Sequence, residues 1–314
     1  MSRIELALQK ALQKAQAKQD TRSDAAVTRP ASPERDVAVA RPTPPESDTQ
    51  LALARPVLSH PSRSRITLDR DRLRAEGLLP PVDAERRLAE EYRRIKRPLI
   101  QNTQESDHAI DPRARLIMVG SALPGEGKTF SSVNLALSLS AEKDVNVVLI
   151  DGDVAKPQLS DVLGLGDRPG LLDLLKDATL DAESLLVDTD VPGLAVLGAG
   201  LRSDLATELL ASHRMTELMR ILVAADLNRL VVLDSPPLLV SNESRELSSV
   251  AGQIVLIVRA GVTPQAAVAE ALDRIGENKS VGLVLNQAHH LLGQGYYYGY
   301  GYGYGSGSGV ETAT

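Results

Sequence analysis

LIMVGSALPGEGKTF, residues 116–130, joins an aliphatic run to an amphipathic stretch through a glycine-rich loop. Gly125 and Gly127 let the backbone curl, so that successive N–H groups point toward phosphate oxygens. In such a loop the lysine, here Lys128, reaches the β- and γ-phosphates, and the hydroxyl of the following Thr129 ligates Mg²⁺. The stretch therefore predicts a P-loop that binds a nucleoside triphosphate with Mg²⁺.

The residues on either side of this loop predict the strand and the helix that a P-loop needs. The loop spans residues 122–129 and carries Ala122 where the motif usually has its first glycine. The aliphatic run Leu116–Val119 precedes it, and Phe130–Leu139 follows it as a helix whose N-terminal dipole would attract an anion. A chance glycine-rich turn is the alternative, but the position between a strand and a helix disfavours it.

Short aliphatic runs recur along the chain after residue 115, separated by amphipathic stretches. They are Leu116–Val119, Val145–Ile150, Leu194–Leu197, Leu230–Leu233, Ile254–Val258 and Val281–Leu285. Continuous runs of this kind suit strands that are buried on both faces. Their alternation with helices predicts an α/β fold with a mostly parallel sheet and helices on both faces. Ligands of such sheets bind at the carboxyl ends of the strands.

Three aspartates follow two of the predicted strands. Asp151 and Asp153 end VNVVLIDGD, and Asp234 ends LVVLD. An aspartate after a strand is also a common helix cap, so each one alone indicates little. Three carboxylates at one sheet edge would repel one another unless a cation held them. Together with the P-loop they favour a magnesium–nucleotide site.

Composition divides the chain into four parts. Residues 1–19 have apolar positions at helical spacing and predict a short helix, which is marginal alone in water and is expected to dock on another surface. Residues 20–64 are rich in proline and are expected to form a disordered linker. Residues 65–292 are predicted to form the P-loop domain. Residues 293–314 are rich in glycine and are expected to form a disordered tail.

Apolar spacing returns in the first part of this domain, before the P-loop. It resumes over residues 65–79 and stops at Pro80 and Pro81. A helix is then predicted to begin near Asp83, as its N-cap, and to end at Pro98.

Cysteine content and charge exclude several classes of protein. The chain has no cysteine, so it has no disulfide framework and no thiolate zinc site. No apolar run reaches transmembrane length, and the N-terminus lacks the apolar region of a signal peptide. Residues 1–110 carry a net charge of +4 and residues 111–314 a net charge of −10, which sum to −6. A basic first part could favour an acidic partner or an anionic lipid, but the excess is small and diffuse, so we expect a solvated segment. We expect no nucleic-acid partner.

Six of the seven tyrosines lie near the C-terminus, most of them separated by glycines. They are Tyr296, Tyr297, Tyr298, Tyr300, Tyr302 and Tyr304. A low-complexity segment for adhesion or solvation is one interpretation. A nucleotide site able to transfer a phosphoryl group to those hydroxyls is the other.

The motifs resemble those of the bacterial tyrosine kinase family, the cytoplasmic autokinases of polysaccharide export. The resemblance covers about residues 85–304, where residues 122–129, Val147–Asp153 and Leu230–Pro237 are similar to the family's Walker A, Walker A′ and Walker B motifs. It implies a P-loop fold like that of the Min/Par partition ATPases, with ATP and Mg²⁺ as cofactors. It also implies autophosphorylation of the terminal tyrosine cluster.

The same resemblance implies roles for individual residues. Asp151 would orient or deprotonate the incoming tyrosine, beside Lys128 as the second catalytic residue. Thr129, Asp153 and Asp234 would hold the metal ion. Nucleotide contacts are implied for Pro124, Gly125, Glu126, Gly127, Lys128, Thr129, Phe130 and Asn286. The E-x-x-R-x-x-R assembly motif is matched by Glu91, Arg94 and Arg97, which would otherwise be read as the solvated face of a helix.

The chain departs from the family pattern at one motif position. Ala155 stands where the family has an arginine after its Walker A′ motif, and Lys156 follows it. The resemblance therefore does not carry over that arginine's role in contacts to phosphate or to another subunit, unless Lys156 substitutes for it.

No transmembrane module is fused to the kinase segment, which resembles the split form of the family. The N-terminal helix, the linker and the DVAKP segment resemble the exosortase-associated branch. The resemblance implies a membrane polysaccharide co-polymerase of the chain-length determinant type as activator and a homo-oligomer that closes as a ring. It also implies a cytoplasmic location, peripheral at the inner membrane through that partner.

Two other functions remain open. A Min/Par-type partition or positioning ATPase typically has an extra lysine early in its P-loop, and Leu123 stands there. A non-catalytic scaffold that binds ATP within a polysaccharide assembly is the second alternative, although three acidic positions disfavour it.

Overall fold

A computed structural model of the chain describes residues 63–105, 111–277 and 279–288. The predicted docking helix (1–19), the predicted tail (293–314) and the tail tyrosines lie outside the described residues. The predicted linker lies outside them as well, except for its last two residues. Of these, Arg63 hydrogen-bonds to Glu183 and Asp188 and so contacts the folded domain.

The described residues form an eight-stranded sheet. The strands in chain order are β1 (Arg65–Ile66), β2 (Leu116–Ser121), β3 (Asn146–Asp151), β4 (Val187–Thr189), β5 (Leu194–Leu197), β6 (Arg229–Asp234), β7 (Gln253–Arg259) and β8 (Ser280–Asn286). Their spatial order is β1-β4-β5-β3-β6-β2-β7-β8, and every neighbouring pair is parallel except β4 and β5. The predicted mostly parallel sheet is confirmed.

Helices cover both faces of this sheet. They are α1 (Arg70–Ala75), α2 (Glu85–Glu105), α3 (Lys128–Ser140), α4 (Gln158–Val162), α5 (Leu171–Lys176), α6 (Ala182–Leu185), α7 (Ala206–Leu210), α8 (His213–Ala224), α9 (Glu243–Val250) and α10 (Gln265–Ile275). Single 3₁₀ turns occur at Val82–Ala84 and Pro112–Arg115. In the described ranges no helix is both long and apolar enough to cross a bilayer.

Strand β2 is apolar at successive positions because both of its faces are buried. Leu116 and Met118 pack into the core layer that includes residues of α8, α9 and α10, whereas Ile117 and Val119 pack into the layer beneath α2 and α3. Both faces of the central strand are therefore buried, as a continuous aliphatic run predicts. The sheet carries the P-loop between these layers, at the carboxyl end of β2.

Helix α2 differs from the sequence-based prediction at both ends. Asp83 is not the N-cap, because it lies inside the 3₁₀ turn that precedes Glu85. The helix also continues past Pro98 to Glu105. Pro98 removes one hydrogen bond from the helix, but tertiary contacts of the following turn offset that loss. The Leu99 carbonyl accepts a bond from the Gln253 side chain, and Leu99 itself is buried.

Candidate active site

The P-loop has the backbone geometry that the two glycines predict. Gly125 and Gly127 adopt φ values of 77° and 91°, in the left-handed region that side chains disfavour. Gly127 precedes α3 without a side-chain cap, so the N–H groups of the first helical turn have no partner from a capping residue. Such a helix start is suited to phosphate oxygens, and the loop therefore fits a nucleotide.

Lys128, Thr129 and Asp234 lie together at the start of α3. Lys128 is 9% exposed and Asp234 is 1% exposed. Asp234 accepts a hydrogen bond from the Ser132 hydroxyl at 2.9 Å, and the Thr129 hydroxyl lies close enough to lower its pKa. Burial raises the pKa of Asp234 to about 6, against the lowering effect of those hydroxyls and of the Lys128 charge. The structure thus brings three of the predicted site residues together.

Asp151 is fully buried at the end of β3, opposite Asp234 in the register of β3 and β6. One carboxylate oxygen accepts bonds from the Ser160 N–H at 2.8 Å and the Ser160 hydroxyl at 2.7 Å. The other accepts a bond from the Asp153 N–H at 3.2 Å. Burial, and next the negative charge of Asp234, raise the pKa of Asp151 to about 7. Asp151 is therefore a stronger base than an exposed aspartate, but it is enclosed.

Asp153 lies beyond the end of β3 and is half-buried. Burial raises its pKa, while a backbone bond from Lys156 and the charges of Lys128 and Lys156 oppose that rise. Lys156, which follows Ala155, thus acts electrostatically on Asp153.

The carboxylates suit a shared metal site. Among the described residues no group of three or more His, Cys, Asp or Glu side chains is arranged to hold a metal ion alone. Mg²⁺ is usually held by one or two protein ligands together with water and phosphate oxygens. Thr129, Asp153 and Asp234 fit that pattern, with the remaining ligands coming from the nucleotide and water.

Glu126 and Asn286 make contacts with protein groups. The Glu126 side chain is 2% exposed and points into the protein, where the Thr263 hydroxyl and the Leu123 N–H donate to its carboxylate. The Asn286 amide donates to the Glu126 carbonyl at 2.8 Å. Both residues therefore contact the P-loop itself.

The remaining predicted residues differ in location. Pro124 is exposed and Phe130 is half-buried, both within or beside the P-loop. Glu91, Arg94 and Arg97 are exposed on α2, away from the buried side of that helix.

Sequence reasoning missed Ser132, Ser160 and Thr263. All three supply hydroxyls to site carboxylates. Ser132 lies one helical turn after Lys128, and Thr263 lies in the turn directly after β7, so position at the ligand-binding edge was a usable signal. Ser160 lies nine residues after Asp151 and had no such signal.

Comparison with known proteins finds bacterial tyrosine kinases. No protein-family model matches the chain. The tyrosine-protein kinase YwqD of Bacillus subtilis (strain 168) is 32% identical over 201 residues, which are 63% of this chain and 80% of YwqD. The succinoglycan biosynthesis transport protein ExoP of Rhizobium meliloti (strain 1021) is 30% identical over 211 residues, 66% of this chain but 26% of ExoP.

The solved structure of the BceF tyrosine kinase domain has the same fold. It superposes with a TM-score of 0.54 at 28% identity and covers 69% of this chain and 86% of its own. The similarity thus covers about two thirds of this chain rather than the whole of it.

Proposed function

This chain belongs to the bacterial tyrosine kinase family, and from that premise we propose that it transfers the γ-phosphoryl group of ATP to tyrosines of its own C-terminal cluster. The acceptors are Tyr296, Tyr297, Tyr298, Tyr300, Tyr302 and Tyr304. A bond forms between the tyrosine oxygen and the γ-phosphorus, the bond from that phosphorus to the β–γ bridging oxygen breaks, and ADP leaves. The hydroxyl proton passes to a protein carboxylate.

The single observation that carries this proposal is the cluster of Lys128, Thr129, Asp151, Asp153 and Asp234 at one sheet edge. Lys128 supplies a fixed positive charge beside the phosphate-binding loop, where charge develops during phosphoryl transfer. When bound, Mg²⁺ neutralises phosphate charge, and Thr129, Asp153 and Asp234 would hold it.

Asp151 is the proposed proton acceptor. Both of its carboxylate oxygens accept hydrogen bonds, so one of them must lose its donor before it takes the proton. Its raised pKa favours that role. Its full burial means that the segment after Asp151 must shift before a tyrosine hydroxyl reaches it. Asp153, which is half-buried, lies on that segment.

A direct test uses the full chain after phosphatase treatment. Wild-type protein incubated with ATP and Mg²⁺ should gain phosphotyrosine in the tail, read by immunoblot and mass spectrometry. Lys128→Met should abolish the signal, since removal of one charge-stabilising group costs about 10²–10³ in rate. Lys176→Met, an exposed lysine at the end of α5, is the matched control and should phosphorylate normally.

Two results would contradict the proposal. One is unchanged tail phosphorylation in Lys128→Met. The other is ATP binding by the wild type without phosphotyrosine even when its membrane partner is present, which would support the scaffold function instead.

We also propose that the kinase acts in polysaccharide export and is recruited to the inner membrane by a membrane co-polymerase. The name of ExoP supports a role in polysaccharide synthesis. The apolar stripe expected in residues 1–19 suits docking on that partner. Deletion of residues 1–20 should move the kinase to the soluble fraction of cells while the purified protein phosphorylates its tail normally. Unchanged membrane recruitment would refute this docking role.

A further inference from the structure

We propose that Thr263 is a positioning residue for the nucleotide, which acts through Glu126 to hold the P-loop in its binding conformation. The proposal rests on the proposed ATP-binding function of that loop. It assigns Glu126 to the support of the loop rather than to direct contact with phosphate. We name this group of three residues the P-loop brace: Thr263, Glu126 and Asn286.

The Glu126 carboxylate is held inside the protein. It is 2% exposed, although it lies in the middle of a loop that otherwise faces solvent at Pro124 and Gly125. A buried carboxylate is costly unless donors surround it. One oxygen accepts from the Leu123 N–H at 2.9 Å, and the other accepts from the Thr263 hydroxyl. The carboxylate thus ties the start of the loop to a different segment of the chain.

The Thr263 hydroxyl is oriented by its own turn. Its oxygen accepts a bond from the Arg259 N–H at 3.0 Å, and its backbone N–H donates to the Arg259 carbonyl at 3.0 Å. With its oxygen engaged as acceptor, the hydroxyl proton is available to Glu126. The turn after β7 therefore presents one defined donor to the P-loop.

Asn286, at the end of β8, bonds to the backbone of Glu126. Its side-chain amide donates to the Glu126 carbonyl at 2.8 Å, and its side-chain oxygen accepts from the Gln287 N–H at 2.9 Å. The Asn286 carbonyl in turn accepts from the Ala260 N–H at 2.9 Å. A side chain at Gly127 would collide with the Asn286 amide, so the approach requires glycine there.

These contacts fix Glu126 from two sides, through its side chain and through its carbonyl. The neighbouring glycines allow many backbone conformations, and only some direct N–H groups at phosphate. A loop held in advance does not lose conformational entropy when the nucleotide binds. Loss of the brace should therefore weaken nucleotide affinity while the core remains folded.

The test measures the Kd of ATP with Mg²⁺ by calorimetry on the full chain, independently of phosphotransfer. Thr263→Val keeps the shape of the side chain but removes the hydroxyl, and should raise Kd roughly tenfold, as expected for a lost bond to a charged group. Thr263→Ser keeps the hydroxyl and should bind within about twofold of the wild type. Thr179→Val removes a hydroxyl bond to Asp177 between α5 and α6 and should leave Kd unchanged. If Thr263→Val fails to fold, Thr263→Ala takes its place in the test.

A double-mutant cycle separates the brace from a purely local effect of Thr263. If Thr263 acts through Glu126, Thr263→Val should have no further effect on Kd in a Glu126→Ala background. Additive losses would mean that Thr263 acts independently of Glu126 and would overturn the proposal, as would a wild-type Kd for Thr263→Val. Wild-type protein that binds ATP but makes no phosphotyrosine would contradict the proposed kinase function and leave the brace standing.

Discussion

Two aspartates that stand two residues apart differ sharply in exposure. Asp151 is the last residue of β3 and pairs in register with Asp234, so the sheet encloses it. Asp153 follows after the strand has ended and is half-buried. The alternation of a strand would have placed both side chains on the same face. The end of β3 at Asp151 therefore gives the two carboxylates different exposure.

This difference predicts different responses to Mg²⁺. Asp153→Asn should raise the Mg²⁺ concentration needed for half-maximal tail phosphorylation, because it removes a metal-ligand charge. Excess Mg²⁺ should then restore most of the rate. Asp151→Asn should lower the rate by about 10²–10⁴, the range for loss of a general base, at every Mg²⁺ concentration. Rates measured across a Mg²⁺ series at saturating ATP decide this, and restoration of Asp151→Asn by Mg²⁺ would count against its role as base.

Tyr92 predicts a pH dependence of stability. Its side chain is 6% exposed, and burial raises its pKa to about 12 from a usual value near 10. Since the folded pKa lies above the unfolded one, the stabilising contribution is complete below pH 10 and is lost as pH rises through 12. The loss should reach roughly 3 kcal/mol, at about 1.4 kcal/mol per pKa unit.

Urea unfolding of wild type and Tyr92→Phe at pH 8, 10 and 11.5 checks this. Phenylalanine has no ionisable group, so the gap between the two proteins should shift in favour of Tyr92→Phe as pH rises. A gap that stays constant with pH would contradict the burial argument.

Among the elements, the part of α2 that follows Pro98 is bonded to the sheet by one buried side chain, that of Gln253. Gln253 in β7 is 1% exposed and donates to the carbonyls of Leu99 and Ala114 at 3.1 and 2.6 Å. It also accepts a bond from the Asn102 side chain at 2.8 Å. These bonds connect the turn of α2 after Pro98 to the sheet.

Gln253→Leu should therefore destabilise the fold. The variant removes the two bonds that Gln253 donates and the one that it accepts, and each lost hydrogen bond costs about 0.5–1.5 kcal/mol, so we expect a loss of about 2–4 kcal/mol in the free energy of unfolding. Gln265→Leu, an exposed glutamine at the start of α10, is the matched control and should change stability by less than about 0.5 kcal/mol. Equal unfolding free energies for both variants would show that the bonds of Gln253 contribute little.

For the whole molecule, α2 exposes two arginines, Arg94 and Arg97, that have no carboxylate partner among the described residues. Glu91 pairs loosely with Arg87 at 3.8 Å. In residues 63–105, 111–277 and 279–288, neither Arg94 nor Arg97 has a carboxylate within 4.0 Å. Exposed arginines without an internal partner are available for bidentate pairs across an interface.

We predict that the unphosphorylated chain assembles through this face and dissociates once its tail is phosphorylated. Each phosphate adds about −1.5 to −2 charges to a chain whose net charge is already −6. Light scattering should give a smaller mass for Arg94→Ala/Arg97→Ala and for phosphorylated wild type than for unphosphorylated wild type. Arg202→Ala/Arg245→Ala removes two exposed arginines elsewhere and should assemble normally. A phosphorylated protein of unchanged mass would contradict electrostatic dissociation.

Features that depend on neighbours along the chain could be predicted from the sequence. The glycines of the P-loop, Lys128 and Thr129 could be predicted because strand, loop and helix lie consecutively, and the central strands could be predicted because burial on both faces demands unbroken apolar runs. The strands β1 and β4 could not, because two and three residues carry no periodic signal.

Which polar groups meet depends on how distant segments of the chain pack. The continuation of α2 past Pro98 depends on Gln253, which lies 154 residues after Leu99 in sequence. The burial of Asp151 depends on its register with β6, and the inward turn of Glu126 depends on Thr263, 137 residues later. Such contacts follow from the order and register of strands. Local propensity does not encode that order, because the free energy of long-range contacts is gained only when distant segments pack together.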